Sequence, residues 1–172
     1  HVINLLREFV APEPICATTS WGLDHGAWSV LRHVFPKANV PVVQMSIDIS
    51  KPAAWHLQVA RKLQKLREYQ VLIVGSGNIV HNLGAINWSN DAEPHPSSIS
   101  FHKYIVEAIE NNDIDAIVNY ASHPDAAYAV PTPEHFLPLL YVLGARRPNE
   151  APHTVTDGFV YSSLSMYSVA FG

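Results

Sequence analysis

Cysteine is nearly absent from this chain, and charge is scarce. One cysteine in 172 residues, Cys16, excludes an internal disulfide and any thiolate-rich metal site. A reducing compartment, the cytoplasm, is the default expectation. Charged residues make up 15%, against about a quarter in ordinary globular chains, so part of the surface is expected to be covered. The net charge is −4 and no basic run exists, which argues against a nucleic-acid partner. No apolar run approaches the roughly 20 residues of a membrane helix, and no signal-peptide pattern is visible. The chain also lacks an initiator methionine: it opens at His1 on an amphipathic run.

Two things are abundant. Apolar residues reach 48%, enough for a core in one domain spanning 1–172, and there are ten histidines. The pattern along the chain alternates helix and strand. Residues 2–10 have helical periodicity, ended by Pro12 and Pro14. Ile15–Thr19 reads as a short strand. Asp24 can cap a helix over Ala27–Phe35. Val40–Ile47 reads as a strand. A helix entered through Ser50 or Lys51 and Pro52 buries Trp55, Val59, Leu63 and Leu66, and ends near Tyr69. Val71–Val74 is a buried strand broken by Gly75-Ser-Gly-Asn78, with His81 just beyond.

The second half is more helical. Residues 84–98, including Asn87, Asn90 and Asp91, read as loop. Helices are expected over Ile99–Asn111, Ile114–Tyr120 and, capped by Thr132, on to Leu143 with Gly144 as the stop. Thr154–Val160 and Ser163–Val169 read as a closing antiparallel pair. The fold class is α/β: a central, mainly parallel or mixed sheet flanked by helices. A helix that opens the chain and leads into a strand suggests an earlier strand, so the sheet is expected to be incomplete at its N-terminal side.

Of the histidines, His1, His33, His56, His95, His102 and His153 read as solvated or packing residues. His25, His81, His123 and His135 lie in Gly- or Pro-rich turns, where functional side chains concentrate. Imidazole is both a metal ligand and the acid–base group for neutral pH. No zinc-finger spacing and no His-Glu-x-x-His occurs. Gly75-Ser-Gly77 is too short for a phosphate loop. A serine-hydrolase elbow at Ser76 fails too, because Val74 and Asn78 stand where glycines belong.

Four segments occur in order: Trp21-Gly-Leu-Asp-His-Gly-Ala-Trp28, Pro41-Val-Val-Gln-Met-Ser-Ile-Asp48, Gly75-Ser-Gly-Asn-Ile-Val-His-Asn-Leu83 and Pro131-Thr-Pro-Glu-His-Phe-Leu-Pro-Leu-Leu140. Together they resemble the class III extradiol ring-cleaving dioxygenases, the LigB-like superfamily, in its 4,5-DOPA dioxygenase branch. The resemblance spans essentially the whole chain. It implies a non-haem Fe(II) centre (Zn could occupy it), a catechol substrate such as DOPA, and O2. It makes His81 the acid–base residue and His135 a metal ligand, and puts His25, Asp24 and, more remotely, His123 at the substrate. Some branches use a glutamate as ligand, but neighbouring helical residues Glu134 and His135 should point about 100° apart, and His135 is the choice. The family's first two histidine ligands have no counterpart here. The expectation is therefore the C-terminal portion of a catalytic domain, completed by upstream sequence or by a second chain. A non-catalytic binding or assembly protein on the same scaffold is the alternative.

Overall fold

The structure is a computed structural model that describes residues 1–89 and 91–172. The loop assignment at Asn90 lies outside the described residues. Seven α-helices are found among the described residues: α1 (Val2–Val10), α2 (His25–Val34), α3 (Ala53–Leu63), α4 (Pro96–Glu110), α5 (Ile114–Val118), α6 (Ala126–Ala129) and α7 (Pro138–Ala145). Short strands β1 (His153–Thr156), β2 (Phe159–Val160), β3 (Leu164–Ser165) and β4 (Ser168–Ala170) close the chain. β1 pairs antiparallel with β4, and β2 with β3. The closing pair expected from sequence is present, interrupted by an irregularity between Thr154 and Thr156.

α7 organises the packing. Its sequence, Pro-Leu-Leu-Tyr-Val-Leu-Gly-Ala, is apolar all round, as a helix with core on both sides must be. Leu140 and Leu143 join a cluster with Phe101, Ile105, Ile117 and Phe136. Tyr141 joins a second cluster with Leu5, Leu6, Val59, Leu63 and Leu66 from α1, α3 and the 3-10 turn that continues α3. Gly144 is not the helix stop expected from sequence. It lies inside α7 against Ala60 of α3, where an added Cβ would collide with the Ala60 side chain. The expected helix from Thr132 to Leu143 is also divided. Pro133–His135 forms a 3-10 turn and α7 begins afresh at Pro138. Pro138 has no N–H to continue an α-helix, and its ring would crowd the carbonyl of Glu134.

One of the two expected caps is present. Asp24 does cap α2, accepting from Ala27 N at 2.9 Å, but the helix starts at His25. Ser50 bonds Asp48 rather than α3, whose N-cap is Pro52.

Of the expected parallel sheet, the described residues show unpaired segments only. Residues 15–19, 40–48 and 71–77 are extended, but no ladder joins them to one another. They retain the alternation of a half-buried strand. Val71 and Ile73 face the α1–α3 cluster while Leu72 and Val74 are exposed, and Met45 and Ile47 pack inward between exposed neighbours. Alternation reports which face is buried. A ladder also needs a neighbouring strand about 4.8 Å away, and none of the described residues supplies one. α2 shares this openness: none of its residues is buried, and Trp28, Val30 and Val34 are exposed.

α3 and α7 are further tied by polar contacts. His56 is fully buried, with Nδ1 2.8 Å from Tyr141 Oη and Nε2 3.1 Å from the Asp48 carbonyl. Nε2 donates to that carbonyl, and in the neutral ring that burial favours Nδ1 accepts from Tyr141. Burial pushes His56 below the ordinary 6.5 and Tyr141 up to about 12. Arg67 grips Glu150 with two 2.5 Å bonds and holds its carboxyl down at about 2.

Two outcomes are expected. Gly144→Ala should lower unfolding stability by about 1–3 kcal/mol, the usual range for overpacking; pairing it with Ala60→Gly should recover part of the loss. Denaturant titration of the two variants measures both. Second, His56 binds a proton more readily unfolded than folded. Stability should therefore be full above 6.5 and fall as pH drops through 6.5 toward the depressed native value. His81 and His102 are shifted the same way. Thermal melts from pH 8 to 5 should show this slope, and His56→Gln should flatten part of it.

Candidate active site

Gly75 and Gly77 bring two histidines together. A Cβ on Gly77 would run into the His135 carbonyl, and one on Gly75 would lie 2.5 Å from the Pro138 carbonyl oxygen. The glycines are there so that the loop can lie flush on the backbone between His135 and Pro138. Asn78 fixes the contact: its N–H donates to His135 O at 2.8 Å, and its side-chain amide donates to Ser165 O at 2.6 Å. Beyond Asn78 the chain pairs with β3. Ser165 N donates to Val80 O at 3.0 Å, His81 bridges Leu164, and Asn82 N donates to Ser163 O at 3.2 Å. On its other edge, His81 N donates to Ala129 O at 2.8 Å.

The result is a stack of His81 on His135, with ring centroids 3.6 Å apart and planes 6° from parallel. Imidazole lone pairs lie in the ring plane. Two parallel planes 3.6 Å apart cannot both aim a lone pair at an ion about 2.1 Å from each nitrogen. The stack thus separates the roles: one ring can ligate, and the other is left for proton transfer. His135 has the ligand-like feature, since its Nδ1 is buried without a hydrogen-bond partner. Glu134 Oε1 lies 3.4 Å from that nitrogen, so the two side chains do not diverge as a regular helix predicts. Thr132 causes this. Its hydroxyl donates to Glu134 Oε1 at 2.6 Å, drawing the carboxylate back and lowering its pKa. His81 is held below 6.5 by burial first, then by His135, with Glu134 acting in the opposite direction.

Ser76 ties in the α2 turn by donating to Gly26 O at 2.7 Å, which sets His25 beside the glycine loop. Asp24 is largely occupied: one carboxylate oxygen caps α2 and its N–H donates to Gln44. His123 is not brought to the stack. Its ring packs on Phe101 and Tyr104, with centroids at 5.5 and 4.7 Å, and its Nδ1 accepts from Asp125 N.

Sequence reading missed Asn78, whose two bonds leave no signature in spacing. It also took His95 as a bland loop residue. His95 stacks on Tyr128 at 4.3 Å, and Tyr128 O accepts from the Asn82 side chain, one residue past His81. A third arrangement imitates a catalytic triad. His102 lies 3.0 Å from Ser165 Oγ through Nδ1 and 3.1 Å from Asp157 through Nε2. Ser165 is 1% exposed and its hydroxyl already accepts from Tyr167 N, so no substrate can reach it. The group braces β3 behind His81.

The chain matches the family described as the catalytic LigB subunit of aromatic ring-opening dioxygenase over residues 6–172, and it belongs to that family. It is 44% identical over 171 residues to a 4,5-DOPA dioxygenase extradiol of Escherichia coli (strain K12), covering 97% of this chain and 63% of the relative. A protein of the same name from Beta vulgaris is 32% identical over 145 residues, covering 82% of this chain and 54% of that one. A crystal structure of an uncharacterized Escherichia coli K12 protein superposes with a TM-score of 0.91 at 43% identity, over 98% of this chain and 70% of that chain. The chain thus spans little more than half of the curated relatives' length. Among the described residues no three His, Cys, Asp or Glu side chains converge to hold a metal, so these residues do not complete the centre the family implies.

Replacing His135 with alanine in the metal-free chain should raise the His81 titration midpoint toward 6.5, because both a like charge and part of the burial are removed. NMR titration of the imidazole signals reads this directly. An unmoved midpoint would mean the rings do not touch.

Proposed function

We propose that this chain carries the acid–base half of an extradiol dioxygenase centre acting on a catechol such as DOPA. The observation that carries the reading is the His81–His135 stack, with His135 Nδ1 buried, without a hydrogen bond and 3.4 Å from Glu134 Oε1. In the proposed reaction both atoms of O2 enter the product and the ring bond beside the diol is cleaved. A bound Fe(II), or Zn in its place, would be held partly by His135 and would supply the site at which diol and O2 meet. His81 would take a proton from a diol oxygen and later return one to the product. A depressed imidazole is largely neutral at pH 7, the form a general base needs. His25, positioned by the Ser76–Gly26 bond, is the proposed hydrogen-bond donor to substrate, with Asp24 holding its turn. His123 would act at most through the substrate's far end.

The remaining ligands would come from polypeptide outside these residues, as a preceding segment or a second chain, with 1–172 as the C-terminal part of the catalytic domain. Two facts support this: three extended segments with unpaired edges, and relatives of greater length. The same added polypeptide would complete the mainly parallel sheet. No helix of the described residues is long and apolar enough to cross a membrane, and a reducing compartment such as the cytoplasm suits the exposed free Cys16. The second reading, a non-catalytic protein on this scaffold, draws on the lack of three converging ligands among the described residues.

The complete protein with Fe(II) should take up oxygen with DOPA and form a yellow semialdehyde. His81→Ala should cut turnover by about 100-fold or more, the usual scale of acid–base catalysis, while metal content holds. His135→Ala should lose metal. Oxygen-electrode assays and metal analysis decide: no uptake across a panel of catechols rejects the enzyme reading, and exchanged phenotypes reverse the two roles.

A further inference from the structure

The loop between β2 and β3 is built from residues poorly suited to it. Tyr161 and Ser162 both have left-handed backbones, at φ 52° and 70°. Asn and Gly adopt that conformation far more readily than a bulky side chain. Turn formation therefore does not explain a tyrosine at 161.

Its surroundings suggest what does. Because His81 bridges Leu164, and Asn82 and Ser163 exchange two hydrogen bonds, the loop projects directly from the His81 ladder. Tyr161 directly follows Val160, which pairs with Leu164 across the ladder. Its ring packs on Trp88 at 5.1 Å, and Trp88 is 74% exposed, with an aromatic face uncovered. Asn87 N donates to Tyr161 O at 3.1 Å and fixes the pair. A second aromatic pair, His95 on Tyr128, is anchored to the same place: His95 N donates to Ser162 O, and Tyr128 O accepts from Asn82. Two aromatic pairs, one tilted and one stacked, are thus bonded to the β2–β3 loop and to Asn82 beside His81.

We propose that Trp88 and Tyr161, backed by His95 and Tyr128, form the wall that receives the substituent-bearing end of the substrate, making Trp88 and Tyr161 specificity residues for a substituted catechol. This rests on the catechol reading above. An open aromatic face suits either an apolar substituent or an ammonium group, which it attracts through the ring quadrupole. The diol end would lie at His81 and the substituent would extend along the ladder to the loop.

The test is anaerobic calorimetric binding to the complete Fe(II)-loaded protein, with L-DOPA and unsubstituted catechol as probes. Tyr161→Asn is the decisive variant, because asparagine suits the left-handed turn. Its Tm should hold or rise while DOPA binding weakens at least fivefold and catechol binding stays unchanged. Tyr161→Phe should restore DOPA binding, and Trp88→Ala should repeat the selective loss. If Tyr161→Asn lowers the Tm, Trp88→Ala decides alone, since that exposed side chain holds no core. Unchanged DOPA binding in the variants overturns the wall. Equal weakening of both probes also overturns it, since it would put Tyr161 at the diol. A wild-type protein that binds neither probe overturns the catechol reading and the wall with it.

Discussion

Everything at the candidate site depends on how closely the Gly75–Asn78 loop approaches the turn that ends at His135. Two missing side chains allow the approach and one backbone hydrogen bond, Asn78 N to His135 O, holds it. With a methyl group at residue 77 the His135 carbonyl would have to move, and His81 would lose the ring it lies on. The glycines are thus packing residues at the candidate site. They need no phosphate and no unusual φ to account for them.

The surrounding fold supports this contact from two sides. α7 starts directly after the His135 turn and is held between two apolar clusters, so the turn cannot drift. β3 pairs with the chain carrying His81 and is itself braced by the buried His102–Ser165 contact. Burial of these polar groups has a consequence for pH. His56, His81 and His102 are all held toward their neutral forms, chiefly by desolvation. At His56 the neutral form sits where both ring nitrogens are engaged, and at His81 it is the form able to accept a proton.

The open part of the molecule lies on the other side. The extended segments and α2 expose Leu72, Val74, Val42, Val43 and Trp28. Strands of parallel sheets are ordinarily covered on both faces. Here one face packs on α1 and α3 and the other is bare, consistent with a chain that spans 63% of its Escherichia coli relative.

Local rules acted alone in much of the chain, and there the sequence was a sufficient guide. The helical stripes of α1, α3 and α4, the Asp24 cap and the closing antiparallel pair all follow from periodicity and capping chemistry between near neighbours. The proposal of His81 and His135 rests on motifs whose residues are local. Three things were decided only by tertiary structure. Gly144 serves contact with Ala60, 84 positions away, and no local pattern distinguishes that from a helix stop. Asn78 matters through its N–H and its side-chain amide and Tyr128 through its carbonyl, each to a partner far away in sequence. The expected sheet is unpaired because alternation records burial of a face, whereas a ladder requires a second strand at its edge. Sequence fixes what each segment can present. Which groups face one another depends on contacts between distant segments, and those exist only once the chain is packed.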